Sequence, residues 1–479
     1  MYIGLDIGTS GVKALLIGED FAPVGQAHAA LTVSRPHHGW SEQDPDSWIT
    51  ACEAAMDELA KAHPDAMARL AGIGLSGQMH GATLLDADDR PLRPAILWND
   101  GRSGTECAEL EEMADFRGIG GNIVMAGFTA PKLRWVEKHE PEIFAKVAKV
   151  LLPKDFVRLW LTGDYASDMS DAAGTLWLDV KARKWSPELL AATNLTEAQM
   201  PRLVEGSESS GTLRPALAKR WGTPEAAVAG GGGDNAATAC GMGITAPGTG
   251  FLSLGTSGVL FAATDRFAPN TEEAVHAFCH AVPGVWHQMG VILSAVDSLT
   301  WLGEITGRSG PELTGLLPSK LGGPSSALFL PYLSGERTPH NAPDASGALL
   351  NLRRDQGLPD LVHAVLDGVA FAFGDCVRAL EAAGTNIEAA YAVGGGAQSR
   401  QWLEILAAVT GLRLLIPAAG DFGAAFGAAR LGAMAAGAGD AETVLTPPPV
   451  QEEIAPDPAL QEAYRAAYER FRAAYPPKD

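Results

Sequence analysis

Two short words of sequence each occur twice, in the same order, and that repetition limits the folds open to this chain more than any bulk property. Leu5-Asp6-Ile7-Gly8-Thr9-Ser10-Gly11-Val12 returns as Leu252-Ser253-Leu254-Gly255-Thr256-Ser257-Gly258-Val259. In both, an apolar run enters a Gly-Thr-Ser-Gly turn and another leaves it, which predicts a β-hairpin. Val228-Ala229-Gly230-Gly231-Gly232-Gly233-Asp234-Asn235 is then matched by Tyr391-Ala392-Val393-Gly394-Gly395-Gly396-Ala397-Gln398. Each is a short strand running into a glycine turn and an alanine-rich segment that looks helical. One such match arises readily by chance among 55 glycines, but two paired words in one order point to tandem copies of an α/β domain. The second copy begins around Ala246-Pro247-Gly248, giving domains 1–245 and 246–479. The length agrees, because a single hydrophobic core rarely serves 479 residues. The tail from Thr446 opens with three prolines and is expected to form a peripheral helix without chemistry.

The copies differ where chemistry would sit. Asp6 is replaced by Ser253 in the second hairpin, and Asp234 is set against Ala397 in the second glycine turn. Both acids therefore belong to the first half, as expected if one half acts on an acceptor while the other holds a nucleotide. Glycines let backbone N–H groups approach an anion, and Thr and Ser add hydroxyls. Gly8-Thr9-Ser10-Gly11 and Gly255-Thr256-Ser257-Gly258 are thus candidate phosphate clamps, with Lys13 supplying a positive charge. Either turn alone reads as an ordinary hairpin. No Walker sequence is present, and no Gly-x-Gly-x-x-Gly with a following acid lies in a βαβ setting. Phosphoryl transfer needs positioning, charge neutralisation and a base near the attacking hydroxyl. Asp234, at the lip of a glycine turn, suits the base, although an Asp there also serves as a helix cap. Asp6 suits Mg²⁺ or its waters, an ion commonly held by one or two carboxylates plus substrate phosphates.

A third cluster is polar among apolar neighbours: Ser76-Gly77-Gln78-Met79-His80-Gly81 and Trp98-Asn99-Asp100-Gly101-Arg102. It offers donors and acceptors for a sugar, and Trp98 offers a flat face for the sugar's C–H side. His80 alone would read as a structural histidine. The formal net charge of -21, without a basic block, sets the average field against nucleic acid or an anionic membrane. ATP is also an anion, but local N–H groups and a metal grip it, not global charge. The cysteines at 52, 107, 240, 279 and 376 form no C-x-x-C pair, and the start MYIGLDIGTSGV has no basic lead. A soluble, cytoplasmic protein is expected.

The segment Gly127 to His139, GFTAPKLRWVEKH, resembles the first signature of the FGGY family of carbohydrate kinases. Further resemblance runs through SRPHHGWSEQDP from Ser34, GQMHGATLLD from Gly77, RPAILWNDGR from Arg93 and LLPKDFVRLWLTGDYASDMSDAAGT from Leu151. It continues in SLGTSGV, in FLPYLSGERTPH from Phe329 and in GGGAQS from Gly394, and covers almost the whole chain. It is strongest to the branch that phosphorylates D-xylulose. One departure is Asn351, where the second signature usually has glycine.

The resemblance implies an α/β fold of two ribonuclease-H-like domains, of the actin, sugar-kinase and heat-shock ATPase superfamily, with an interdomain catalytic cleft. It implies ATP and Mg²⁺ as cofactors and transfer to the sugar 5-hydroxyl, with Asp234 as base and Asp6 as the acid near metal and phosphates. Met79, His80 and Asn235 are implied as substrate contacts, beside Trp98 and Asp100 from the residue reading. Thr9, Lys13 and Thr256 are implied at the phosphates, beside Gly255 from the residue reading, and Gly395, Gly396 and Ser399 at the adenosine. A homodimer is the suggested assembly. A kinase for ribulose, gluconate or glycerol is the neighbouring reading. A non-catalytic actin-like ATP- and sugar-binding module is a more distant one, against which the retained acid of GGGD speaks.

Overall fold

The computed structural model describes residues 1–418, 420 and 422–475 and folds them into two α/β halves, each built on a seven-stranded mixed sheet. In the first half Tyr2–Ile7, Gly11–Ile17 and Pro23–Ala30 form an antiparallel meander. Helix Pro45–Ala62 then carries the chain back so that Gly72–Gly77 lies parallel to Tyr2–Ile7. Ala227–Ala229 adds parallel to Gly72–Gly77, and Gly232–Gly233 extends that pairing. The second half repeats the plan. Gly248–Leu254, Gly258–Thr264 and Trp286–Ile292 are antiparallel neighbours, with His276–Cys279 at the edge. Helix Leu358–Ala382 leads to Ile387–Val393, parallel to Gly248–Leu254, and Arg413–Pro417 adds beyond it.

Both predicted hairpins form, but their turns differ. Ile7 pairs with Val12 across a four-residue turn, whereas Leu254 pairs with Gly258 across three residues. Asp6 therefore faces Lys13, while Ser253 faces Val259. The second repeat needs correcting. Ile387–Val393 adjoins the first strand of its sheet, so its counterpart is Gly72–Gly77, not Ala227–Ala229. The turn at Gly394 thus corresponds to Gln78–Gly81, and Ala397 is not the positional equivalent of Asp234. Glycine-rich words look alike wherever a strand runs into a helix, and local sequence does not record a strand's place in the sheet.

The halves interlock through two crossing helices. Ala424–Ala435, late in the chain, packs on the first sheet: a Cβ on Gly4 would fall 1.8 Å from Ala425 O, and one on Gly74 1.7 Å from Ala428 O. Helix Asp234–Gly241 crosses it so closely that a Cβ on Gly427 would lie 1.7 Å from Ala237 O. Only small residues permit such an approach. The tail also departs from expectation. Val450–Ile454 joins the sheet edge, and helix Pro458–Ala474 buries Tyr464, Ala467 and Phe471 in the second core. That three- and four-residue spacing, set in a polar sequence, makes the helix amphipathic and integral to the core. Residues 476–479 of the predicted tail lie outside the described ones. Asn351 adopts φ 59°, the left-handed conformation that accounts for glycine in the family signature and that Asn tolerates. No helix among the described residues is long and apolar enough to cross a membrane.

Candidate active site

The first-half acids are brought together by strand register. Asp6, near the end of Tyr2–Ile7, lies level with Ser76 of the neighbouring strand, which is level with Gly232 on its other side. Asp234 follows two residues later as the first residue of helix Asp234–Gly241. Gly231, at φ +74°, makes the turn possible, since a Cβ there would sit 2.1 Å from Leu75 O. Both carboxylates are only partly exposed. Burial, then the charge of Asp6, pushes Asp234 up to about 6 against the pull of Asn235. Burial likewise raises Asp6, opposed by Ser76 and Lys13. Asp234 Oδ1 accepts from the Asn235 backbone N–H at 2.8 Å and from its Nδ2 at 3.1 Å. Oδ2 accepts no hydrogen bond among the described residues, leaving one carboxylate oxygen open to an acceptor.

A buried ion network holds this turn. Arg158 Nη2 donates to Gly230 O at 2.5 Å, Nη1 donates to Ala229 O, and the Gly233 N–H donates to Ser170 Oγ at 3.1 Å. Ser170 in turn donates to Asp168 at 2.5 Å, and Lys154 reaches Asp155, Asp168 and Asp171 at 2.6, 2.8 and 3.1 Å. All these ionic side chains are fully buried. Burial, opposed by Lys154, drives Asp171 well above the usual carboxylate range. None of these roles was read from the sequence, although the residues lie in the stretch from Leu151 that carries the family resemblance.

Met79 and His80 flank the same place. A Cβ on Gly233 would lie 2.8 Å from Met79 Sδ, and one on Gly174 within 2.8 Å of both Met79 and His80. His80 has φ 68°, a conformation a non-glycine residue keeps only when its surroundings enforce it. Here Lys132 Nζ donates to His80 O at 2.8 Å and Thr129 Oγ1 at 3.2 Å. The first family signature thus has a physical task, though Lys132 and Thr129 were not singled out from sequence. His80 Nδ1 lies 2.7 Å from Gly174 O, which assigns the proton to Nδ1. Burial pushes the imidazole down to about 3, aided by Lys132, so neutral Nε2 remains an acceptor.

Trp98 and Asp100 diverge in use. Trp98 is 47% exposed, and its Nε1 donates to Thr9 Oγ1 at 3.0 Å. Asp100 accepts from Ser41 N at 2.6 Å and from Arg102 Nε and Nη2 at 2.9 and 2.7 Å, with none of its side chain exposed. Its carboxylate is turned away from any substrate, and the guanidinium it holds lies 3.6 Å over Trp40. Thr9 is also occupied: Oγ1 donates to Gln78 Oε1 at 3.0 Å, and Thr9 O accepts from Gln43 Nε2 at 2.7 Å. Its single hydroxyl proton is not directed at a phosphate in this arrangement. Lys13 lies across the hairpin from Asp6.

The second-half candidates also converge. A Cβ on Gly394 would meet Leu254 O at 2.5 Å, and one on Gly396 would meet Leu254 Cβ at 2.9 Å, so the Gly394 turn abuts the second hairpin. Gly255 O and Thr256 O accept N–H groups from Val296 and Ala295 at 2.9 Å, tying the turn to helix Val296–Thr306. Thr256 is exposed, and its hydroxyl has no partner among the described residues. Nothing lies within 4 Å of a Cβ built on Gly395, and Ser399 caps helix Arg400–Thr410. Open glycine, exposed hydroxyl and turn N–H groups form one surface suited to a nucleotide.

Two α/β halves, with paired acids in one and an open glycine surface in the other, are the layout of a phosphoryl-transfer enzyme acting on a small acceptor. The chain matches the FGGY family of carbohydrate kinases in its N-terminal domain over residues 1–241 and its C-terminal domain over 250–436. It belongs to that family and is an ATP-dependent carbohydrate kinase. It is 48% identical to the xylulose kinase of Escherichia coli (strain K12), over 99% of this chain and 98% of that one. Identity to the xylulose kinase of Klebsiella pneumoniae is 50%, over 95% of each. The crystal structure of a "xyloylose kinase" from Brucella ovis superposes with TM-score 0.98 at 58% identity, covering 99% of this chain and 98% of that one.

Proposed function

We propose that the chain transfers the terminal phosphoryl group of ATP to the 5-hydroxyl of D-xylulose, giving ADP and D-xylulose 5-phosphate. The observation that carries this reading is the open, raised Asp234 carboxylate beside Met79 and His80, in a chain about half identical to xylulose kinases. Residues 1–245 hold the sugar and the base, and 246–479 hold the nucleotide. As the new P–O bond forms and ADP leaves, the 5-hydroxyl proton passes to Asp234 Oδ2. A carboxylate titrating near 6 is largely ionised at neutral pH and more basic than an ordinary Asp, so it accepts that proton more readily. Asn235 fixes the carboxylate plane, Nε2 of His80 accepts from a second sugar hydroxyl, and Trp98 covers the C–H face.

Among the described residues no group of three His, Cys, Asp or Glu side chains could hold a metal. Two neighbouring carboxylates nonetheless suit Mg²⁺, which takes most of its ligands from phosphates and water. Asp6 would hold the ion or its water, and the bound ion would neutralise phosphate charge. Thr256, Gly255 and Lys13 are assigned to the phosphates, and Gly395, Gly396 and Ser399 to the adenosine. The setting is cytoplasmic and the partners are small molecules. A coupled assay over D-xylulose, D-ribulose, gluconate and glycerol tests the reading. D-Xylulose should lead in kcat/KM, and any other acceptor leading overturns it.

A further inference from the structure

Arg337 lies in the second half, in the segment from Phe329 that carries part of the family resemblance, and it has no place in the chemistry above. Its backbone is pinned from both sides. Glu336 Oε1 accepts from Leu293 N at 3.0 Å and Arg337 N at 2.7 Å, and Thr338 exchanges hydrogen bonds of 3.0 Å with Val291. Among the described residues the guanidinium makes one hydrogen bond, from Nη1 to His276 Nε2 at 3.3 Å. His276 Nδ1 lies 3.1 Å from Asn122 Oδ1, so the ring proton sits on Nδ1 and Nε2 accepts from Arg337. Guanidinium carries five N–H donors, and among the described residues no carboxylate forms an ion pair with this one. The side chain is only partly exposed. Its remaining nitrogens are not sealed from solvent, so they stay open to an acceptor that enters from outside.

Its surroundings show what that could be. His276 stacks on Phe278 at 5.5 Å, Phe128 meets His276 at 5.6 Å and His80 at 4.7 Å, and Phe278 lies 6.3 Å from His80. Arg337 thus adjoins, through His276, a ring of four aromatic side chains that includes the proposed sugar-binding His80. After burial, the charge of Lys132 and more weakly that of Arg337 act on His80, whereas the charge acting on Asp234 is that of Asp6. The aromatic cluster thus joins His80, next to the turn that carries the acceptor-only Asp234, to His276, which holds the donor-only Arg337. A ketose matches that polarity: one terminal hydroxyl must give a proton, and the carbonyl oxygen toward the other end can only accept, with adjacent hydroxyl oxygens able to accept beside it.

We infer that Arg337 binds the carbonyl-bearing end of the acceptor sugar, and so determines which hydroxyl faces Asp234 and favours a ketose over the corresponding polyol. This rests on the kinase reading above. The planar fork donates to two adjacent oxygens in a way a lysine ammonium does not reproduce. The inference makes the second half a contributor to sugar recognition as well as to nucleotide binding.

Full-length wild type, Arg337→Met and Arg337→Lys are to be compared for KM of D-xylulose, KM of ATP and inhibition by the pentitol D-arabinitol. Loss of hydrogen bonds from a charged group should raise the D-xylulose KM about 10–100-fold in Arg337→Met. The ATP KM should stay unchanged, and the pentitol inhibition constant should rise less than the xylulose KM. Arg337→Lys, which keeps the charge and disturbs packing least, should show the same split in smaller measure. A D-xylulose KM unchanged in both variants, or sugar and ATP constants rising together, overturns the assignment. A wild-type chain inactive on D-xylulose overturns the D-xylulose reading as well, and so separates the two failures.

Discussion

The two hairpins share the word Gly-Thr-Ser-Gly, yet the structure uses them oppositely. The first turn is closed in on itself: Gly8 N–H donates to Gly11 O at 3.0 Å, and the Thr9 hydroxyl links Gln78 to Trp98. The second turn is one residue shorter, is braced from behind by helix Val296–Thr306, and leaves the Thr256 hydroxyl open. Asp6 faces Lys13 in the first, and Ser253 faces Val259 in the second. The same word thus builds a hairpin in both halves while its neighbours differ, in keeping with the proposed roles of one copy beside the acceptor and the other at the nucleotide. The larger asymmetry is Asp234, for which the first half supplies a buried ionic scaffold built from Lys154, Arg158, Asp168 and Ser170.

Removing that carboxylate should break the comparison most severely. Asp234→Ala is expected to lower kcat for sugar phosphorylation by about 10²–10⁴-fold, the usual contribution of a positioned base. Nucleotide affinity, which the proposed function assigns mainly to the second half, should be nearly unchanged by calorimetry. Turnover close to wild type would show that the proton leaves by another route.

The same substitution made in both copies of the shared word sharpens the contrast at smaller amplitude. Thr9→Val removes the hydroxyl that joins Gln78 and Trp98, and should raise the sugar KM by about 3–10-fold, the worth of one ordinary hydrogen bond. Thr256→Val should leave the sugar KM alone and raise the ATP KM by about the same factor. If Thr9→Val acts on ATP instead, the first turn is a phosphate clamp after all, and its hydroxyl must leave Gln78 when nucleotide binds.

Much of this organisation was legible in the sequence because hairpins and glycine turns are local. Apolar runs around Gly-Thr-Ser-Gly predict strands and a turn wherever they occur, and Asp6 and Asp234 stand out as acids among glycines and aliphatics. What was illegible is non-local. The pairing of Val228–Asn235 with Tyr391–Gln398 failed because a strand's neighbours are decided by the crossover connecting it, not by its own residues. Asp100 looked available because its sequence neighbours are polar, yet Arg102 and Ser41 enclose it. Arg158 and Ser170 act on a turn some 60 to 75 positions away along the chain, and no spacing rule reaches that far. Arg337 stands out in the sequence only as part of a family stretch, since its meaning depends on His276 meeting it in space.

The smallest expected effect concerns stability rather than rate, and it asks whether the first half is strained for its task. Asp234 titrates near 6 in the folded chain against an ordinary value of 3.8, chiefly because burial disfavours its charge. The folded state then holds the proton more tightly than the unfolded one. The resulting penalty is absent below about pH 4, grows as pH rises through the interval, and is full above about 6. Asp234→Asn removes the charge and should stabilise the protein at pH 7.5 by about 1–2 kcal/mol, somewhat under the full shift because an acid in a helix's first turn gains from the helix dipole. The gain should fade when thermal midpoints are compared at pH 4.5. No rise at neutral pH would mean that Asn235 and the helix already offset the burial of Asp234, leaving the two halves asymmetric in chemistry without any asymmetry in strain.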